Sequence, residues 1–406
     1  MTPSQWLSIV GIGEDGADGL SPAARRLVEG AELVVGGARH LALAGDLARG
    51  ERLPWPSPLT DAFGAILAKR GRPVCVLATG DPFHFGIGPQ LAALVPPGEF
   101  VCLPQPSAFS LAAARLGWSL PEAACFTLHG RPLERVLPHL QPGARLLALS
   151  WNGDTPARLA ALLAARGFGP SRITVLEAMG GPRERTQRAR ADAFDLVGID
   201  PLNIVFVEVE AGPAALVVPL TPGLPDELFE HDGQLTKREV RAATIAALGP
   251  RVGELLWDIG AGSGSISIEW SLRHPSLRAV AIEPRPERAA RIARNAAHLG
   301  APDVAIVHGE APAALIGLPA PDAVFVGGGA TDPGVLDAAW AALRAGGRIV
   351  ANGVTLETEA LLLDRFSTLG GALTRLHVER AEPIGRGRLH GWRSAMPVTQ
   401  WRAVKP

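Results

Sequence analysis

Gly260, Gly262 and Gly264 follow an apolar run that ends at Asp258 and Ile259, and they precede the helix-forming stretch SISIEWSLR. Glycine at such a junction lets the chain turn tightly and brings backbone N–H groups against a ligand with no Cβ in the way. With Ala261 and Ser263 between them, these residues form a loop at 258–265 whose amides suit electronegative ligand groups. Glu283 ends the next apolar run, where a carboxylate accepts both hydroxyl hydrogens of a ribose. The spacing G-x-G-x-G departs from the G-x-G-x-x-G of dinucleotide loops. Asp258, at the loop entrance, would crowd a pyrophosphate but favours a cation. Adenosine joined to a cation describes S-adenosylmethionine better than NAD.

Such a loop needs a sheet behind it, and both halves of the chain alternate short apolar runs with Ala-rich helical segments, the pattern of α/β units. In the first half the strands expected are WLSIVGIG, ELVVG, RPVCVLATGD, GEFVCLP, ARLLALSW, SRITVLEAMG and LNIVFVEV. In the second they are ELLWDIGAG, RAVAIE, DVAIVHG, DAVFVGGG and GGRIVANG, with ALTRLHVER and MPVTQWRAV closing an open, mostly parallel sheet. Between the halves, prolines 213, 219, 222 and 225 remove backbone donors and oppose a long helix. The expected organisation is a domain over 1–212, a Pro-rich linker over 213–230 and a second domain over 231–406.

The 406 residues exceed one typical core and fit two or three. A hydrophobic share of 47% with 19% charged residues belongs to a folded globular chain rather than a disordered one. The net charge of −1 gives no electrostatic reason to bind nucleic acid or an anionic membrane. Cys75, Cys102 and Cys125 are far apart in apolar stretches and read as buried free thiols, and no Cys/His spacing suggests a metal. The opening MTPSQWLSIVGIG lacks the basic start and apolar run of a leader, and no apolar stretch is long enough to span a bilayer, so a cytoplasmic protein is expected.

The stretch HDGQLTKREVRAATIAALGPRVGELLWDIGAGSGSISIEW resembles the decarboxylating precorrin methyltransferases of the cobalamin pathway, the CbiT-like family. The likeness runs from His231 to about Asn352, and the TKxEVR signature is intact at Thr236, Lys237, Glu239, Val240 and Arg241. It implies a Rossmann-like class I methyltransferase fold, with cofactor contacts from Thr236, from 260–264, from Glu283 and from Ala311 in HGEAP. In the first half, IVGIGEDGADGLSPAA, ATGDPFHFGIG, PQPSAFSLAAARLG and EAMGGPRERTQ resemble the tetrapyrrole methylases of the CbiE-like branch. That likeness implies a two-lobed fold with the cofactor in the cleft, touched by Gly80, Asp81, Ser107, Ala108 and the turn at 11–13. The last motif supplies Glu177, Gly180 and Glu184.

Taken together, the two resemblances imply S-adenosylmethionine-dependent methylation of a precorrin. The first half would act at C5; the second would act at C15 and remove the carboxylate of the C12 acetate. One methyl-donor site per domain and a homo-oligomer are implied in the same way; the fusion of both halves resembles the metal-free route, and the sequence itself does not distinguish a substrate with cobalt from one without. An electron-rich ring carbon attacks a sulfonium methyl without a strong protein base, so positioning in a dry site suffices. Lys237, Arg238 and Arg241 either anchor substrate carboxylates or form a solvated helix face, and both readings stand. His231 either moves a proton or is simply a linker histidine. An RNA or protein methyltransferase fits less well, because FVGGGATDP lacks the Asn/Asp-Pro-Pro-aromatic pattern. A non-enzymatic tetrapyrrole-binding scaffold is opposed by the intact Asp258, Glu283 and GDP segments.

Overall fold

The computed structural model describes residues 5–385 and 388–406, so the first four residues of the N-terminal stretch weighed as a leader lie outside it. The chain divides into two compact units, one of Met1–Arg131 with Gln141–Leu216 and one of Pro132–Leu140 with Val217–Pro406.

The first unit carries two five-stranded sheets. The first contains β1 (Leu7–Ile12), β2 (Leu33–Gly36), β3 (Glu51–Pro54), β4 (Val74–Thr79) and β5 (Phe100–Leu103), all parallel in the order β3-β2-β4-β1-β5. β1 is buried along its whole length, as a parallel strand covered on both faces must be. The second contains β6 (Ala124–Thr127), β7 (Arg145–Leu149), β8 (Arg172–Glu177), β9 (Arg185–Arg190) and β10 (Asn203–Glu208), in the order β6-β7-β10-β8-β9. This sheet is mixed: β10 runs antiparallel to both neighbours, and β8 to β9. β9, an exposed edge with the sequence RTQRAR, has no apolar run to betray it. Cys75 is buried, whereas Cys102 and Cys125 are only half-buried, contrary to the expectation for all three.

The second unit is built on a seven-stranded sheet in the order β13-β12-β11-β14-β15-β19-β16. Its strands are β11 (Leu255–Ile259), β12 (Arg278–Glu283), β13 (Ala305–His308), β14 (Ala323–Val326), β15 (Arg348–Gly353), β16 (Ala372–Leu376) and β19 (Val398–Val404). β11 to β15 are parallel, and β19 runs antiparallel between β15 and β16. The stretch ALTRLHVER does not form one strand. It splits into β16 and into β17 (Glu379–Pro383), which leaves the sheet and pairs with β18 (His390–Ser394) as a separate ribbon. Trp257, Ile259, Val324, Val326, Ile349 and Trp401 fill the core beneath the helices.

Residues 217–230 lie within the second unit and bury Val218, Leu224 and Phe229, so this Pro-rich stretch packs rather than spans. Among the described residues, no helix is long and apolar enough to cross a membrane.

Candidate functional site

The parallel strands of the second unit reverse their order between β11 and β14, and ligands of open α/β sheets bind outside the carboxyl ends of strands at such a switch point. A cavity of about 710 Å³ opens there, lined on one side by 233–237, Gly260 to Ser263, Glu283 and Ala311. The other side is more apolar, with Val354, Leu376, Val378, Met396 and Val398.

Gly260, Gly262 and Gly264 all have φ in the left-handed region. A Cβ on Gly260 would meet the Gly328 backbone at 2.8 Å, so the loops after β11 and β14 pass too closely for a side chain. A Cβ on Gly262 would find nothing nearer than 3.9 Å, which leaves its backbone open to the cavity. Gly264 does not line the cavity; it starts the helix Ser265–Ser271 and packs against Ile292.

Glu283 is buried and lines the cavity. One carboxylate oxygen accepts from the Gly262 amide at 2.8 Å and the other from the Arg285 amide at 3.1 Å. Each oxygen keeps a further lone pair, so the carboxylate both fixes the loop and can receive ligand hydroxyls. Asp258 lies behind the loop, outside the cavity lining, where Oδ2 accepts from the Ser267 amide at 3.0 Å and hydroxyl at 2.7 Å. Its Oδ1 is buried with no hydrogen-bond partner. Burial pushes this carboxyl up to about 6; the Ser267 bonds oppose the rise and the charge of Glu283 adds to it.

Two braces that the sequence did not reveal hold the segment before the first helix. Asn295 donates to the carbonyls of Glu230 and Ser263, at 3.0 and 2.9 Å, and accepts from the Glu230 amide at 2.8 Å. Glu269 accepts from the amides of Gly223 and Leu224, at 2.7 and 2.8 Å, and from Arg241 Nε at 2.6 Å. Asn295 is a lone polar residue on an apolar helix face, the signal that could have found it, whereas Glu269 shares its buried helix with Ser265 and Ser267 and has no such mark.

Arg241 must be withdrawn as a substrate anchor. Its side chain is fully buried, lies off the cavity lining and spends four of its five N–H groups on Glu269, Asp226 and the carbonyls of Thr236 and Leu224. Arg238 and His231 are exposed and lie off the cavity lining, and His231 Nδ1 accepts from the Gly233 amide at 3.0 Å. Lys237 does line it, with Nζ 4.0 Å from Asp226. The other cations on the lining are Arg285, Arg288 and Arg380, none of them expected from the sequence. Arg288 bonds Asp232 at 2.8 Å and Arg380 pairs with Glu239. Arg288, then the Gln234 amide and Arg291, hold the Asp232 carboxyl well below the usual carboxylate range against the opposing effect of burial.

In the first unit, the ends of β1 and β4 and the loop after β5 converge. Gly80, with φ in the left-handed region, donates to the Ile12 carbonyl at 3.2 Å and accepts from the Gln105 amide at 3.0 Å. A Cβ on Gly11 would lie 1.9 Å from the Gly80 carbonyl oxygen. Asp81 accepts from the Phe83 amide at 2.9 Å, and buried Ser107 caps the helix Ala108–Leu116. Thus Gly11, Gly80, Asp81, Ser107 and Ala108 share one corner of the unit.

Beside that corner, Arg39 and Arg183 both bond Glu14, and Arg39 also donates to Thr79 at 2.6 Å. Burial and the Arg39 charge lower His40 to about 4. Glu177 and Glu184 are braces: Glu177 accepts from Arg185, Gln187 and the Asp200 amide, and Glu184 from Arg115 and the Gly180 amide.

A model of the tetrapyrrole (corrin/porphyrin) methylases matches residues 7–195, and one of the precorrin methyltransferase domain matches 227–405. The precorrin-6Y C(5,15)-methyltransferase (decarboxylating) of a Sinorhizobium species is 55% identical over 402 residues, covering 99% of this chain and 97% of the relative. Its namesake from Mycobacterium tuberculosis (strain ATCC 25618 / H37Rv) is 41% identical over 403 residues, covering 98% and 99%. The crystal structure of the C-terminal domain of precorrin-6Y C5,15-methyltransferase from Rhodobacter capsulatus is 48% identical, covering 46% of this chain and all of that one, with a TM-score of 0.44. Matched nearly end to end at these identities, the chain belongs to the precorrin-6Y C(5,15)-methyltransferases (decarboxylating) of cobalamin biosynthesis.

Proposed function

We propose that this methyltransferase carries out its two methylations on a precorrin at separate sites, each using its own S-adenosylmethionine. The first unit acts at C5, and the second acts at C15 and removes the C12 acetate carboxylate. The observation that carries the reading is the switch-point cavity, where open glycine backbone and the Glu283 carboxylate line one corner and the orphaned Asp258 Oδ1 is buried behind the loop. These groups fit the cofactor: Glu283 receives the ribose hydroxyls, residues 260–263 follow the adenosine and Thr236 and Ala311 flank it. Asp258 supplies negative charge behind the loop. When bound, S-adenosylmethionine supplies an electrophilic methyl on a sulfonium.

Lys237, Arg285 and Arg380 meet the acetate and propionate groups of the macrocycle, for which cations are the complementary partners. Val354, Leu376, Met396 and Val398 keep water from the reacting carbon. In the first unit, Gly80, Asp81, Ser107 and Ala108, with the turn at 11–13, form the second cofactor site. The protein acts in the cytoplasm on a small tetrapyrrole, with neither nucleic acid nor membrane as partner. It assembles with copies of itself through the β17–β18 ribbon, whose Ile384, Leu389 and Trp392 are exposed. Sedimentation of the Trp392→Ser variant tests that assembly, and an unchanged mass would remove the ribbon from it.

Two measurements test the catalytic reading. Incubation of precorrin-6B with enzyme and S-adenosylmethionine should give a product with two added methyls and one lost CO2, by mass spectrometry. Calorimetric titration with S-adenosylhomocysteine should show two sites per chain, one of which disappears in Glu283→Ala. A single site, or full binding in that variant, contradicts the assignment.

A further inference from the structure

Asn352 is the penultimate residue of β15 and lines the cavity, while Thr244, on the helix Arg238–Leu248, and Gln400, on β19, are buried beside it. Asn352 and Gln400 are direct partners across the β15–β19 pair. The hydrogen-bond directions among the three are forced. Thr244 Oγ1 donates its hydrogen to the Val240 carbonyl at 2.8 Å, so toward its other neighbours it can only accept. Asn352 Nδ2 lies 2.9 Å from it and Gln400 Nε2 3.2 Å, so both amides present their NH2 groups to this oxygen. The second hydrogen of Gln400 Nε2 goes to Asn352 Oδ1, at 2.9 Å. Asn352 is thereby locked in one orientation, with one N–H and one carbonyl lone pair still available.

The strand order then places it. Glu283 ends β12 and Asn352 lies one residue before the end of β15, with β11 and β14 between them. At the ordinary strand spacing of ~4.8 Å, the two strand ends are roughly 14 Å apart. If Glu283 holds the ribose, Asn352 stands beyond the loop, on the side of the cavity shared with Val354, Val398 and Met396. A fixed, uncharged amide there does not complement a sulfonium. It complements a group with a donor and an acceptor close together, such as a pyrrolic N–H beside a side-chain carboxylate.

We propose that Asn352 binds the tetrapyrrole at the acceptor side of the second site, and that Thr244 and Gln400 are positioning residues that hold its amide in register. This rests on the cofactor assignment at Glu283.

The test uses the full chain, with steady-state C15 methylation and CO2 release from the precorrin measured beside calorimetric binding of S-adenosylhomocysteine. Asn352→Leu should raise KM for the precorrin at least about tenfold, the equivalent of one good hydrogen bond, while leaving S-adenosylhomocysteine affinity within about twofold. Thr244→Val, which removes the acceptor but keeps the shape, should raise KM severalfold, and Thr244→Ser should restore it. The proposal is overturned if Asn352→Leu leaves KM unchanged or weakens S-adenosylhomocysteine as much as precorrin. It is overturned too if Thr244→Ser behaves like Thr244→Val, since both would then report packing alone. Failure of the cofactor assignment is read separately, from intact S-adenosylhomocysteine binding in Glu283→Ala.

Discussion

The two units close their glycine turns by different means. In the first, backbone lies directly on backbone: Gly80 bonds Ile12 and Gln105, and Gly11 passes so near the Gly80 carbonyl that no side chain fits. In the second, side chains do the holding, with Glu283 on the Gly262 amide, Asn295 on the Ser263 carbonyl and Asp258 on Ser267. The first corner is therefore set by backbone excluded volume, whereas the second adds side-chain charge and hydrogen bonding to the close backbone approach of Gly260 and Gly328. Lost charges should therefore damage the second corner more than the first.

The largest effect is expected from Gly11→Ala. Its methyl would sit 1.9 Å from the Gly80 carbonyl oxygen and 2.6 Å from the Gln105 amide nitrogen, and both neighbours are backbone with no rotamer to yield. A cost above ~4 kcal/mol is expected, at the extreme of single-residue effects. Hydrogen exchange followed peptide by peptide should show β1 and β4 losing protection while β11 and β12 keep theirs. Equal loss in both units would end the comparison.

Next comes Glu269→Ala in the second unit, which leaves Arg241 buried without its nearest countercharge and orphans two amides. Breaking a fully buried pair from one side costs about 3–5 kcal/mol. The counterpart in the first unit, Glu177→Gln, should cost only about 1–2 kcal/mol, because its partner Arg185 is half exposed and the one remaining oxygen still accepts, while the new NH2 gives up two of the four bonds. Urea titrations of the two variants rank them, and a Glu177→Gln loss as large as that of Glu269→Ala would contradict the difference drawn here.

Strand-forming runs buried on both faces, such as those of β1, β4, β11 and β12, were legible because parallel strands leave an uninterrupted apolar signature. β9 was not, since an edge strand of RTQRAR has no core face to advertise. The glycine loop and Glu283 were readable from local spacing alone. The identity of the cavity cations was not: Arg241 stands in the TKREVR stretch upstream of the loop, yet its buried pairing depends on Glu269, a helix away, and on residues 224–236 folding back. Arg380 and Asn352 reach the cavity only through the order of the closing strands, which sequence periodicity does not encode.

The smallest expected effect separates the units by pH. His40 has its pKa lowered to about 4 in the folded state, against an ordinary value of 6.5. The unfolded chain therefore takes up that proton first, so the contribution of His40 to stability is complete above 6.5 and is lost as pH falls toward 4. Asp258 behaves in the opposite sense. Its folded value is raised to about 6 from 3.8, so its contribution is complete below 3.8 and is lost as pH rises through 6. Acidification from pH 7 to pH 5 should thus weaken the first unit and strengthen the second through these two residues, each by no more than about 2 kcal/mol once partial solvation is allowed for. Comparing wild type with His40→Gln and with Asp258→Asn cancels the other titrating groups. The stability of His40→Gln relative to wild type should rise from pH 7 to pH 5, and that of Asp258→Asn should fall. Two rising differences would mean that the buried carboxyl of Asp258 is charged at neutral pH at no cost, with some countercharge reaching its unpartnered oxygen, and two falling ones that burial does not hold the His40 imidazole neutral.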